Sequence, residues 1–249
     1  MKVLDVEKNN SNHQSGKFVQ YFCFDENDFE NFSISPFAVL SIFQDIATKH
    51  AEALGVGFYQ MLKRNLLWVT MRIKFEVVSK INANENYKIV TYPSGKSMIE
   101  FDRDYVILDK DNNIVLKGQS KWCLIDSKTR KIARMIDGIS LTNVNPIFED
   151  KFLKTDSFEP NYPSVFSYKI SKSDIDKNGH TNNTVYAKIV TKLFKSEAKK
   201  LKFFQINFLK ESLIGDNLDI YTQNNNDGFT VVGKLCGRDV SFTSKIVFE

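Results

Sequence analysis

The chain has 249 residues, 42% of them hydrophobic and 21 of them Phe, enough to fill one large core or two ordinary ones. A net charge of +4 with both signs interspersed does not call for a nucleic-acid partner, and no apolar run of about 18 residues reads as a membrane span. Cys23, Cys123 and Cys236 have neither metal-ligand nor redox spacing, and Met1 to Gly16 lacks the apolar centre of a signal peptide, so a reduced, cytoplasmic protein is expected.

Residues 1–16, with His13 among Asn, Ser and Gln, read as a flexible tail. The aromatic run Phe18 to Phe24 predicts a strand. Ser35-Pro36 then opens a helix, because Pro is tolerated in a first turn whose N–H groups have no intrahelical acceptor. Phe37, Leu40, Phe43, Ile46, Ala47, His50, Ala51 and Leu54 recur at three- and four-residue steps on one face of it, until Gly55 and Gly57 end it. His50 on that face reads most simply as a core or rim histidine bonded to a neighbour. A linking segment, Phe58 to Asn65, leads to four β-rich runs: Leu66 to Val78, Asn86 to Tyr92, Ser97 to Leu108 and Ile114 to Ile125. Pro93-Ser-Gly95 is expected to break the middle pair, and Asp109 to Asn113 to close a hairpin between the last two. Arg134 to Pro163, carrying Pro146, Pro160 and Pro163 among polar residues, reads as an inter-domain connection.

The second half repeats this order. Val165 to Ile170 predicts a strand; Val185, Tyr186, Ile189, Val190, Leu193, Phe194 and Ala198 mark one face of a helix; Phe203 to Glu211, Leu218 to Gln223, Phe229 to Leu235 and Val240 to Phe248 predict four strands. Asn224 to Gly228 and Gly237 to Asp239 are turn signals between them. Strand, helix and four strands, twice over, imply two copies of one α+β unit, in which an antiparallel sheet wraps a long apolar helix. That is a tandem hotdog architecture.

Between strand and helix of the second half lies Asp174-Ile-Asp-Lys-Asn-Gly-His-Thr-Asn-Asn-Thr-Val-Tyr186. Asn182 or Asn183 is a natural N-cap, and Asp176, Asn178 and His180 stand at i, i+2 and i+4 of a loop that Gly179 allows to turn tightly. A helix start with open N–H groups beside a His that titrates near neutrality can stabilise an acyl oxygen gaining charge. The same residues also suit plain turn-and-cap chemistry.

The pattern Asp-x-Asp-x-Asn-x-His-x-Asn-Asn-x-x-Tyr resembles the signature of the acyl-acyl carrier protein (acyl-ACP) thioesterases of plants and bacteria. Lys63-Arg-Asn-Leu-Leu-Trp-Val-Thr-Met-Arg72, Tyr92-Pro-Ser-Gly95, Arg103-Asp104 and Trp122 also fall where that family has similar residues. The resemblance implies two fused hotdog domains, read along this chain as 17–135 and 164–249 joined by a linker over 136–163; the acyl-chain pocket is expected in the first and the catalytic residues in the second. Carried over by position, the catalytic set is Asp176, Asn178, His180 and Glu211. An acyl chain needs an apolar tunnel, which the helix and apolar side chains of the first half can line, and Phe43, Ile46, Asn65 and Trp68 are the expected acyl-chain contacts. Many family members place Cys directly after this Glu; here it is Ser212, so no thiolate stands there and attack by water is expected.

The implied reaction is hydrolysis of fatty acyl-ACP to free fatty acid, with acyl carrier protein bearing a phosphopantetheine-linked chain as partner. His13, His50 and His180 are too dispersed to suggest a metal, and no cofactor is implied. Two basic segments suit an acidic carrier, Lys128, Arg130, Lys131 and Arg134 or Lys195, Lys199, Lys200 and Lys202, and the sequence does not choose between them. A tandem chain already pairs two domains, so a monomer suffices, though a homodimer is compatible. Acyl-CoA hydrolysis, a hotdog 3-hydroxyacyl dehydratase and a non-enzymatic acyl sensor are the alternatives; the last lacks a visible effector segment.

Overall fold

The structure, a computed structural model, describes residues 1–3, 16–31, 33–133, 146–176, 179–194, 200–236 and 239–249. In chain order the strands and helices begin with β1 (Lys2–Val3), β2 (Phe18–Cys23), β3 (Phe29–Glu30), β4 (Ser33–Ile34), α1 (Pro36–Ala53) and α2 (Phe58–Leu62). There follow β5 (Leu66–Val77), β6 (Asn86–Lys96), β7 (Phe101–Leu108), β8 (Ile114–Asp126), β9 (Ile132–Ala133) and β10 (Phe166–Lys169). Last come α3 (Asn183–Leu193), β11 (Leu201–Phe208), β12 (Asn217–Asn225), β13 (Gly228–Leu235) and β14 (Val240–Phe248). No described helix is long and apolar enough to cross a membrane.

The chain divides into two compact units, Met1–Asn27 with Ser41–Lys151, and Asp28–Leu40 with Phe152–Glu249. In the first, neighbouring strands run antiparallel in the order β1-β2-β6-β7-β8-β5, with β9 added to β8. The second has β10-β12-β13-β14-β11, also antiparallel, and β3 pairs with β4 as a separate hairpin. With β1 set aside, β2-β6-β7-β8-β5 and β10-β12-β13-β14-β11 are the same arrangement twice. Both units are α+β hotdogs.

The core of the first unit is organised around α1. Its Phe43 ring stacks on Tyr105 at 4.0 Å between centroids and 6° between planes, and meets Phe75 edge-on at 6.5 Å. Gly118 on β8 makes this possible: a Cβ there would lie 2.2 Å from the Phe43 ring. Ile42, Ile46 and Ile89 are fully buried in the same unit, each side chain contributing about 1.5–3 kcal/mol by leaving water. His50 is 1% exposed; its Nδ1 lies 2.9 Å from Arg103 Nη1, and its ring stacks on Phe18 at 5.4 Å. A guanidinium can only donate, so His50 accepts at Nδ1 and its ring is neutral. Burial holds the Arg103 pKa below its ordinary value. In the second unit Tyr186 of α3 lies 5.3 Å from Phe242 and 5.8 Å from Phe208, and Phe204, Ile206 and Val231 of the sheet are fully buried.

Other strand residues carry polar side chains that the connecting chain covers. In the first unit Asp104 accepts from Ser94 Oγ at 2.8 Å, Gln119 Nε2 at 2.9 Å and the Ile147 N–H at 2.6 Å, while Lys74 Nζ sits 4.1 Å from the centre of the Phe148 ring. In the second, Gln205 Nε2 donates to Leu153 O at 2.7 Å, and Asn207 Nδ2 donates to the hydroxyls of Thr155 and Thr243 at 2.5 and 2.8 Å. Of the expected connection, residues 134–145 lie outside the described residues; the part from Pro146 to Pro163 contains no helix or strand, and these bonds fasten it.

Three elements differ from the sequence reading. Phe58–Leu62 is a helical turn rather than a plain link: Met61 is buried with Leu66, Phe101 and Leu124, and that burial holds the segment helical. Pro93-Ser-Gly95 does not break the sheet; β6 runs through it with a register shift between Pro93 and Gly95, where a bulge spares the N–H that Pro lacks. The reversal comes at Ser97 to Glu100, where Ser97 N–H donates to Glu100 O at 2.7 Å. Finally, β11 ends at Phe208, so Glu211 lies in the loop beyond it rather than within the strand.

Candidate active site

The long polar motif is built on two braces. Upstream, Asp174 is buried and accepts from Ser171 N–H at 2.9 Å, Ser171 Oγ at 2.7 Å and the Tyr168 hydroxyl at 3.1 Å. Burial pushes its pKa up, but these hydrogen bonds outweigh that and hold it below the ordinary 3.8. Asp174 O also accepts the Asn182 N–H at 2.8 Å, tying the two ends of the loop together.

Downstream, Thr181 is the second brace. Both its N–H, at 3.1 Å, and its hydroxyl, at 2.7 Å, donate to Ser212 O. His180 and Glu211 are the residues just before Thr181 and Ser212, so this double bond sets their side chains next to one another. His180 Nε2 lies 3.3 Å from Glu211 Oε2, with 27% of the His and 47% of the Glu side chain exposed. The pair is partly exposed, and the backbone that carries it is tied by the two bonds to Ser212 O.

Asp176 closes the loop itself. Its N–H donates to His180 O at 2.8 Å, its Oδ1 accepts the His180 N–H at 3.2 Å, and its carbonyl accepts Gly179 N–H at 3.1 Å. Gly179 has φ +81, a left-handed conformation that costs a residue with a Cβ about 1–2 kcal/mol. Asn182, the first of the two expected caps, caps α3: its Oδ1 accepts Thr184 N–H at 3.0 Å. The N–H groups of Thr181, Asn182, Thr184 and Val185 all have acceptors, whereas that of Asn183 has none among the described residues. Asn178, the remaining member of the expected catalytic set, lies outside the described residues.

Ser212 is fully buried. Its hydroxyl lies 2.9 Å from Ser241 Oγ, and Ser241 Oγ donates to Lys210 O at 2.8 Å, so the Ser212 proton is spent on Ser241. Cys23, Cys123 and Cys236 carry free thiols, and burial pushes that of Cys123 up, away from nucleophilic thiolate character. Among the described residues no three His, Cys, Asp or Glu side chains form a metal-ligand group.

The expected acyl-chain contacts lie in the first unit and divide into two places. Phe43 and Ile46 are fully buried along α1. Trp68 on β5 is partly buried, donating from Nε1 to Val56 O at 2.9 Å and meeting Phe101 edge-on at 4.9 Å. Asn65, exposed with φ 56, makes the turn between α2 and β5. The braces Tyr168, Ser171, Asp174 and Thr181 were missed as site residues, although Ser171-x-x-Asp174 has the spacing of a capping box and was legible as one.

Residues 21–141 match the acyl-ACP thioesterase N-terminal domain family and residues 159–239 the acyl-ACP thioesterase C-terminal domain family. The chloroplastic oleoyl-acyl carrier protein thioesterase 2 of Arabidopsis thaliana is 24% identical over 230 residues, which is 83% of this chain and 62% of that protein. A chloroplastic oleoyl-acyl carrier protein thioesterase of Coriandrum sativum is 23% identical over 80% of this chain and 60% of its own length. The chain therefore spans about three-fifths of these plant relatives. The crystal structure of an acyl-ACP thioesterase from Bacteroides thetaiotaomicron superposes with a TM-score of 0.86 at 24% identity, over 95% of this chain and 99% of that one. The 12:0-ACP thioesterase from Umbellularia californica gives 0.80 at 18% identity, over 94% and 97%. With both domain families matched in order along two hotdog units, the chain belongs to the acyl-ACP thioesterase family.

Proposed function

We propose that the chain hydrolyses the thioester of a fatty acyl chain carried on acyl carrier protein, by direct attack of water at the His180–Glu211 pair. The observation that carries this reading is the 3.3 Å approach of His180 Nε2 to Glu211 Oε2 beside the start of α3. A thioester carbonyl is already electrophilic, so the site needs an activated water and a place for the oxyanion.

Glu211 accepts the proton as the water oxygen bonds to the carbonyl carbon, and His180, donating from Nε2, orients the carboxylate and shares the proton. Asp176 fixes the backbone that carries His180. The Asn183 N–H, at the positive end of α3, receives the oxyanion. Collapse of the tetrahedral intermediate breaks the carbon–sulfur bond; the proton held by the pair passes to the sulfur, giving free fatty acid and carrier thiol. Asn178 completes the set by holding water or substrate. Ser212, with its proton given to Ser241, supports the loop and takes no covalent part.

The first unit takes the acyl chain, with Phe43 and Ile46 along α1 and Asn65 and Trp68 near the start of β5. A chain running along α1 displaces the Phe43 ring from its notch over Gly118.

The test is release of thiol and free fatty acid from a panel of acyl-ACP chain lengths, beside matched acyl-CoA and 3-hydroxyacyl-ACP. Release favouring the carrier is expected. Formation of a 2-enoyl product would replace this reading with a dehydratase, and ligand binding without turnover would replace it with a sensor.

A further inference from the structure

Of the two basic segments, the second has Lys202 Nζ 3.9 Å from the Glu249 carboxylate; Lys195 and Lys199 of that segment and Arg134 of the first lie outside the described residues. The described part of the first segment is joined by two further cations. Asn65 O accepts the Ser127 N–H at 2.9 Å and Leu66 pairs with Asp126, which sets the turn bearing Lys128, Arg130 and Lys131 beside Lys63 and Arg64 at the end of α2. All five side chains are exposed. Among the described residues, Lys63, Arg64, Lys128 and Lys131 form no salt bridge. Asp126, the neighbouring acid, accepts the N–H groups of Lys128 at 3.0 Å and Thr129 at 2.7 Å within the same turn.

Beside these charges α2 turns large apolar side chains to solvent. Met61 is fully buried, whereas Tyr59 is 70%, Leu62 42% and Phe58 38% exposed. Three- and four-residue spacing puts Phe58, Tyr59 and Leu62 on one outward face. An aromatic and aliphatic centre with a basic rim has the anatomy of an interface whose partner carries acidic charge around an apolar contact.

We propose that this face of the first unit, with Tyr59 and Leu62 at its centre and Lys63, Arg64, Lys128 and Lys131 at its rim, docks the acyl carrier protein. The proposal rests on the acyl-ACP reading above, and charge complementarity to an acidic carrier selects the occupant. The rim steers the encounter, so binding weakens as salt is added, and the apolar centre holds the docked carrier.

The experiment compares hydrolysis of acyl-ACP with hydrolysis of the same acyl chain on pantetheine. The variants are wild type, Lys63→Glu/Arg64→Glu/Lys128→Glu/Lys131→Glu, and the control Lys200→Glu/Lys202→Glu. Charge reversal is expected to raise the KM for acyl-ACP about tenfold, while kcat/KM on acyl-pantetheine and the control both move less than about twofold. An unchanged KM in the reversal variant, or a rise only in the control, overturns the proposal.

Wild type inert on acyl-ACP would bring down the functional reading instead. Titration with fluorescent holo-ACP then judges docking alone: binding lost in the reversal variant supports it, and no binding to wild type overturns it. Tyr59→Ser serves if charge reversal impairs folding, because so exposed a side chain is not needed for the core, and it too is expected to raise KM. A wild-type dimer that Tyr59→Ser makes monomeric, or pelleting with anionic phosphatidylglycerol vesicles, overturns the proposal if KM for acyl-ACP stays constant.

Discussion

After β5 of the first unit, the N–H groups of Val78 and Ser79 both donate to Val115 O, at 2.9 and 3.3 Å, and the next residue is Lys80. After β11 of the second, the N–H groups of Leu209 and Lys210 both donate to Ser241 O, at 2.8 and 3.0 Å, and the next residue is Glu211. The backbone is the same and the charge is opposite. The helix starts differ in the same sense. Before α1, Ser35 caps the helix through its hydroxyl, 3.2 Å from the Ala38 N–H, and Pro36 closes the first turn. Before α3, a longer loop with Gly179 in a left-handed conformation brings His180 against Glu211. The two turns share their backbone bonds and differ in charge, and of the two helix starts it is that of α3 that has a His beside a carboxylate.

The contrast breaks most sharply at the histidine. His180→Ala is expected to lower kcat by about 10²–10⁴-fold, the usual worth of general acid–base help, while Lys80→Ala at the matching turn of the first unit stays within about twofold. Equal losses in both, measured on acyl-ACP, would erase the distinction. In the first unit the matching test is packing. Gly118→Ala drives a methyl into the Phe43 ring and is expected to cost about 1–3 kcal/mol, on the order of 5 °C in Tm, with Phe43→Leu in the same chain recovering part of it. Calorimetry showing no loss would mean the notch is loose.

Asp174 sharpens the comparison through pH. Its pKa is held below the unfolded 3.8, so the unfolded chain binds the proton more readily just below that value. The stabilisation is therefore complete above 3.8 and is lost as pH falls through the folded value. Asp174→Asn is expected to melt lower than wild type at pH 7 and to match it once pH falls well below 3.8; a constant offset at all pH values would contradict this. The smallest effect is expected at Ser212. Ser212→Ala breaks a buried hydroxyl pair at about 1 kcal/mol of stability, yet should leave kcat within about threefold, and a loss comparable to that of His180→Ala would restore a nucleophilic role.

Periodicity carried most of the fold. The spacing of Phe43, Ile46 and His50 gave α1, and the repeated order of elements gave two units of one kind. What escaped were pieces held by tertiary contacts alone. Phe58–Leu62 is five residues long, too short for a periodic signal, and is helical because Met61 finds Leu66 and Phe101. Pro93 looked like a breaker because a bulge cannot be read from one strand without its partner. At the site, the spacing of Asp176 and His180 and the family resemblance led to the loop, and Glu211 came from the resemblance alone. The link between them, Thr181 bonding Ser212 O, joins residues 31 apart and has no local signature.

The central claim is that Glu211 works on the substrate's water rather than merely bracing His180. Thiol release from acyl-ACP by wild type and Glu211→Ala, measured at saturating substrate with both folds checked by melting temperature, tests it most directly. A fall in kcat of about 10²–10⁴-fold at unchanged Tm is expected. A variant within about threefold of wild type would contradict the account, leaving a family member whose chemistry lies elsewhere in the chain.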